Sequence, residues 1–192
     1  MITAGILIFP GVEELDFIGP FEVLSYVNKI SPGSIRILLA ADSLEPVRAF
    51  NGLRVLPDTV FGDCPPLDVL VIPGGKGRLT AMTDPVIREF ILTQARTAQY
   101  LTSVCTGAFL LAAAGLLNGK KATTYHTAFE ELASFGVTVI PAKVVRDGAI
   151  ITAGGVSSGL ELGFYLLREL FGASAAQEVA EKIEYAVDVT SL

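Results

Sequence analysis

Short, continuously apolar runs alternate with helix-patterned segments along most of the chain. Ile2 to Phe9, Ser34 to Ala41, Leu67 to Ile72 and Tyr100 to Val104 read as strands. The first and third are so uniformly apolar that both faces must be buried, as in a parallel sheet. Pro10-Gly11 and Pro73-Gly74-Gly75 close those two runs. The segment VEELDFIGPFEVLSYV, Val12 to Val27, carries a helical pattern through Val23, Leu24 and Val27, with a kink or break predicted at Gly19-Pro20. Asp84-Pro85 supplies an N-cap and a first-turn proline for a helix running to about Ala98. Phe109 to Leu117, mostly Ala and Leu, predicts another helix, and His126 to Phe135 a further one ended by Gly136. Asn51-Gly52 within Val47 to Leu56, and Asp147-Gly148 between Val144 to Arg146 and Ala149 to Ala153, are hairpin signals. Lys121 to Thr124 reads as a short strand. Ser158 with Glu161, and Ser174 with Gln177, match capping boxes. The first opens a helix striped by Leu160, Phe164, Leu167 and Leu170 and ended by Gly172; the second opens a last helix to about Tyr185. Strands alternating with helices predict an α/β three-layer sandwich, a mostly parallel sheet with helices on both faces.

Composition narrows this picture. A chain of 192 residues without a charged or Pro/Gly-rich linker predicts one domain. Hydrophobic residues make up 51% and charged residues only 18%, so some apolar surface is expected to be covered by a second subunit, as in a homodimer. The longest apolar run, Gly107 to Leu117, is too short to span a bilayer, and Met1 leads directly into a strand, so a cytoplasmic protein is expected. A formal charge of −6 disfavours a nucleic-acid surface. The two cysteines, Cys64 and Cys105, fit neither a zinc spacing nor a CxxC motif, so neither a metal nor a disulfide is expected.

The chemistry concentrates at Cys105. It lies between a strand-prone and a helix-prone run, the arrangement of a nucleophile elbow with Cys in place of Ser. The following helix would aim its N–H groups at the sulfur and lower the thiol's pKa, while Thr106 and Gly107 suit a tight exit. Asp16 falls just beyond the carboxyl end of the first strand, where ligands bind in open parallel sheets. On position alone a solvated helix-start carboxylate explains it better. The Gly74-Gly75 loop would present backbone N–H groups to an anionic intermediate. The single histidine, His126, rules out a glutaminase triad with its histidine late in the chain and leaves His126 or a carboxylate as the base of any cysteine chemistry. Cys64 reads as a packing residue, Lys120-Lys121 as a solvated turn, and Glu161 as the partner of Ser158.

These residues resemble the DJ-1/PfpI family of the class I glutamine amidotransferase-like, flavodoxin-like fold, and within it the isonitrile hydratases. The resemblance rests on GVEELDFIGPFEVL (Gly11 to Leu24), DCPPLDVLVIPGG (Asp63 to Gly75), TSVCTGA (Thr102 to Ala108), GLLNGKKATT (Gly115 to Thr124) and VVRDGAIITAGGVSSGLEL (Val144 to Leu162). It implies a homodimer acting on a small molecule without a cofactor, with Cys105 as nucleophile, Asp16 as partner acid and Thr106 shaping the pocket. Family members resembling proteases carry histidine directly after the cysteine, where this chain has Thr106. Many of the hydratases carry His-Trp after the ATT segment, where this chain has Tyr125-His126. The implied reaction is hydration of an isonitrile to an N-substituted formamide through a thioimidate. Glyoxalase or deglycase chemistry, and a cysteine redox sensor, need the same two residues.

Overall fold

The computed structural model describes residues 1–192. In chain order the strands are β1 (Ile2–Leu7), β2 (Ile35–Ala41), β3 (Val47–Arg48), β4 (Arg54–Val55), β5 (Thr59–Val60), β6 (Val69–Ile72), β7 (Tyr100–Val104), β8 (Lys121–Ala122), β9 (Thr138–Val139), β10 (Val144–Asp147) and β11 (Ile150–Ala153). The helices are α1 (Glu14–Tyr26), α2 (Arg78–Ala81), α3 (Pro85–Gln94), α4 (Ala108–Ala113), α5 (Phe129–Ala133), α6 (Ser158–Phe171) and α7 (Ala173–Lys182). Seven strands form one sheet in the order β10-β11-β7-β6-β1-β2-β5, parallel throughout except for the β10–β11 hairpin. β3 pairs with β4 and β8 with β9 in two separate ribbons. α1, α6 and α7 pack as one layer and α2 to α5 as another, so the sheet is the middle of three layers.

The uniformly apolar strands lie where their composition demands. All four residues of β6 and all five of β7 are buried, in the centre of the sheet. Phe109 from α4 and Phe164 from α6 are fully buried; each contributes about 1.5–3 kcal/mol by leaving water. Because the chain turns one way from β1 to β2 and the other way from β1 to β6, a crevice opens at the carboxyl ends of the central strands. There, β6 and β7 end side by side, with Ile72 paired to Ser103.

Local capping chemistry was overridden in several places. α1 runs unbroken through Gly19-Pro20, although Pro20 donates no hydrogen bond to the Asp16 carbonyl. Tertiary packing compensates: Gly19 meets Gly159 where α1 crosses α6, and the Pro20 ring lies against Gly159. Neither capping box forms. Ser158 is already inside α6, and Glu161 turns instead to Lys143 and Tyr185. Gly172 precedes α7 without a side-chain cap, and Gln177 bonds Glu181. The expected helices also shorten. α4 stops at Ala113 rather than Leu117, α3 at Gln94 rather than Ala98 and α7 at Lys182 rather than Tyr185, while His126 to Ala128 form a 3-10 turn ahead of α5. The Asp84 cap forms as expected, its Oδ1 accepting from Val86 N–H at 2.8 Å.

Gly107 illustrates how tightly the crevice floor is packed. Its backbone angles are ordinary helical ones, but a Cβ there would run into the Ile72 carbonyl. Gly107→Ala is expected to destabilise the fold by about 2–3 kcal/mol through this overlap, read as a lower urea midpoint with unchanged slope.

Candidate active site

Cys105 stands at the corner between β7 and α4, in the left-handed region at φ 55. For a residue with a Cβ this conformation costs about 1–2 kcal/mol, so the surroundings must enforce it. They do so from both sides. The Cys105 N–H donates to the Gly154 carbonyl at 2.8 Å, and its carbonyl accepts from the Thr124 hydroxyl at 2.8 Å. The sulfur is thereby aimed into a cavity of about 380 Å³ shared with Glu13, Gly75, Arg78, Leu79, Tyr125 and Val156.

Asp16 is fully buried (0% exposed), which removes the reading of a solvated helix-start carboxylate. The Gly74 N–H donates to its Oδ2 at 2.9 Å, while Oδ1 has no hydrogen-bond partner. Burial, with Glu13 adding like charge, pushes the Asp16 pKa from 3.8 up to about 7 against the pull of the Gly74 N–H and the Cys105 thiol. Asp16 thus keeps one unpaired carboxyl oxygen, and the Cys105 thiol is among the groups that act on this carboxyl.

The thiol behaves opposite to the expectation from helix polarity. Burial and the Asp16 charge push Cys105 up to about 12. The Thr106 N–H, the Thr106 hydroxyl and the Val156 N–H face the sulfur and pull its pKa down, but do not prevail. The helix effect is weak for a physical reason: α4 has only six residues and is entered through a 3-10 turn, so few aligned peptide dipoles point at the sulfur.

The Gly74-Gly75 loop is placed as expected but acts differently. The Gly74 N–H is committed to Asp16, and the Gly75 N–H donates to the Thr106 hydroxyl oxygen at 3.1 Å. These glycines serve close approach: a Cβ on Gly74 would strike Thr106, and one on Gly75 would strike the chain at Gly11 and Glu13. The donors that do face the sulfur come from Thr106 and from Val156. His126 is exposed, tilted against Tyr125 with ring centroids 4.4 Å apart, and does not line the cavity. Tyr125 does. Cys64 packs half-buried against the core, and burial alone raises its pKa.

Several site residues had no distinct sequence signal. Asn51, at the tip of the β3–β4 ribbon, donates from its N–H to Glu14 and from its side chain to Glu13 and Glu14, fastening the turn of α1 that carries Asp16. Arg78 pairs with both carboxylate oxygens of Glu131 at 2.9 and 2.7 Å and lies over the Phe109 ring, so its charge is largely spent. A cavity of about 400 Å³ between Phe9, Phe61 and Ile87 contains no thiol, imidazole or amine.

The DJ-1/PfpI family profile matches residues 3–169. The chain belongs to the DJ-1/PfpI family. It is 42% identical over 185 residues to an isonitrile hydratase from Pseudomonas putida, covering 96% of this chain and 79% of that one. It is 28% identical over 153 residues to a glutathione-independent glyoxalase from Caenorhabditis elegans, covering 79% of this chain and 82% of that one. Among solved structures it resembles a ThiJ/PfpI family protein from Pseudomonas syringae, at 36% identity and a TM-score of 0.91, covering 97% of this chain and 76% of that one. The likeness to that structure spans nearly the whole of this chain.

Proposed function

We propose that this DJ-1/PfpI protein hydrates isonitriles to N-substituted formamides, with Cys105 as nucleophile and Asp16 as the group that moves protons. The observation that carries this reading is a buried carboxyl that titrates near neutral pH, with a free acceptor oxygen, beside a thiol held at a strained corner. The similarity to the Pseudomonas putida isonitrile hydratase supports the substrate class.

The terminal carbon of an isonitrile accepts a nucleophile and then a proton at the same atom. With Cys105 pushed to about 12, the resting proton is on sulfur, and Asp16 acts first as a base. Its Oδ1 takes the thiol proton as sulfur attacks the carbon, then delivers that proton to the carbon. One C–S and one C–H bond form, leaving a thioimidate. Water adds next to the same carbon, Asp16 taking a proton from it and passing one to nitrogen. Collapse breaks the C–S bond with its electron pair on sulfur; the hydroxyl proton returns through Asp16 to sulfur, and the formamide leaves. One isonitrile and one water are consumed, and no redox partner is needed. The Thr106 and Val156 N–H groups stabilise charge on sulfur as it forms and departs. Leu79 and Tyr125 offer apolar wall to the substituent.

The test is formamide production from cyclohexyl isonitrile across pH. Because the ionised form of Asp16 is the base, kcat/KM is expected to rise about tenfold per pH unit below the midpoint near 7 and to level above it. A flat profile between pH 5 and 8 would remove Asp16 from the proton path. Methylglyoxal in the same assay tests the chemistry of the Caenorhabditis elegans relative. A redox sensor fits less well, since sensing needs thiolate character and access, and Cys105 is 6% exposed with a raised pKa.

We also read the chain as a homodimer, supported by the partly exposed Leu15 and Ile18 on α1 and by its apolar composition. A reduced catalytic thiol suits the cytoplasm. No helix is long and apolar enough to cross a membrane.

A further inference from the structure

Glu161 has no part in the chemistry above, yet it is one of the few charged side chains in the core, at 3% exposed. Its Oε1 accepts from Lys143 Nζ and from the Tyr185 hydroxyl, and its Oε2 has no partner. A buried acceptor left unpaired is destabilising, so the fold retains Glu161 at some expense. The Oε2 atom is closed off from solvent, so a ligand in the neighbouring cleft would not reach it. What Glu161 joins is more informative. Lys143 precedes β10, and its carbonyl accepts from the Gly154 N–H at 2.9 Å. The Gly154 carbonyl in turn accepts from the Cys105 N–H at 2.8 Å. Two residues on, Val156 lines the same cavity as Cys105 and its N–H pulls the thiol's pKa down, and the turn closes with Ser158 N–H donating to the Gly155 carbonyl at 2.7 Å as α6 begins. Lys143 is thus fastened by its backbone to one end of the 154–157 segment and by its side chain, through Glu161, to the helix at the other end.

We infer that the Lys143–Glu161 tie is a positioning pair, setting the span of the 154–157 segment and with it the approach of the Val156 N–H to the Cys105 sulfur. The reading rests on Cys105 being the reactive thiol, but not on isonitrile being its substrate. Tyr185 and Lys143 are the titratable groups that face Glu161, Asp16 is the one that faces the sulfur, and Glu13, Lys76, Arg78 and Tyr125 share the sulfur's cavity. None of these cavity residues is altered by cutting the tie. Hydrogen bonds to a charged group are stronger than neutral ones, so loosening one is expected to lower the thiolate fraction about three- to tenfold at a given pH.

The experiment follows iodoacetamide alkylation of Cys105 by mass spectrometry from pH 6 to 10, in a Cys64→Ser background. Glu161→Met and Lys143→Met are each expected to slow alkylation about three- to tenfold at fixed pH and to move its profile to higher pH. Their combination should do no more than either alone, and Lys143→Arg should restore the rate, because one tie is being cut. Lys143 has a side chain 70% exposed, and with it replaced Glu161 keeps the Tyr185 hydroxyl; urea midpoints measured alongside tell loss of fold from loss of positioning. Alkylation within twofold of the parent in Lys143→Met, or a loss seen only in Glu161→Met, would overturn the inference. Formamide turnover, measured in parallel, reports on the hydratase reading separately: a protein inert to isonitriles still gives a decisive alkylation result.

Discussion

Asp16→Asn is expected to lose formamide production by about a thousandfold or more while making the fold more stable above neutral pH. The loss follows from the mechanism, since general acid–base catalysis and activation of the nucleophile both run through one carboxyl and Asn can do neither. The gain follows from linkage. In the unfolded chain Asp16 titrates near 3.8, in the folded chain near 7. Below the lower value both states hold the proton and no difference exists. As pH rises through the window between the two values, the unfolded state releases its proton and the folded state does not, so stability falls until about pH 7. The full penalty is about 4 kcal/mol, from 1.36 kcal/mol per pKa unit. Asn has no such penalty and keeps an oxygen for the Gly74 N–H. Urea unfolding at pH 8 should therefore show the variant more stable by about 2–4 kcal/mol, the difference shrinking towards pH 4. A variant less stable than the parent at pH 8 would mean that Asp16 is not held as a strained, proton-hungry carboxyl.

Cys105→Ala is expected to reduce formamide production to the uncatalysed background, with stability within about 1 kcal/mol of the parent. The side chain removed is small, and the left-handed strain at φ 55 stays, because Ala has a Cβ as well. The decisive measurement is an acid quench during turnover. The parent should carry a mass addition on the Cys105 peptide equal to one isonitrile, the thioimidate, and the alanine variant none. Formamide formed at the normal rate without Cys105 would require a different nucleophile, and the cavity offers no second thiol. The two variants together separate covalent chemistry from proton transfer.

Much of the site was readable from residues near each other in sequence. Cys105 lies at a change of period, strand-like before and helix-like after, and local propensity alone places a corner there. The Asp84 cap and the Asp147-Gly148 hairpin formed for the same reason: their hydrogen bonds are made within a few residues. The capping box at Ser158 failed because a longer-range partner competed, whereas the one at Ser174 failed because α7 already begins at Ala173 and Gln177 bonds Glu181 within the helix. Lys143, 18 residues away, takes Glu161, and no local rule sees it. Pro20 did not break α1, since the packing of its ring on Gly159 outweighs one missing helical bond.

Strand-by-strand hydrophobic patterning by itself determined the α/β class, the burial of the β1 and β6 segments and the position of the thiol at a carboxyl end, because each depends on nearest-neighbour propensity and on the apolar content of a short run. Only the tertiary structure decided the protonation chemistry. Whether Asp16 is solvated or sealed, whether the Gly74 and Gly75 N–H groups are free or engaged, and whether the thiol is lowered by a helix or raised by burial all depend on what is brought alongside from β1, β6, β7 and the 154–156 turn. Desolvation and close charge act over a few ångströms of space and are indifferent to sequence separation. Asp16 and Gly74 stand 58 positions apart, and the chain between them carries no trace of the bond that joins them.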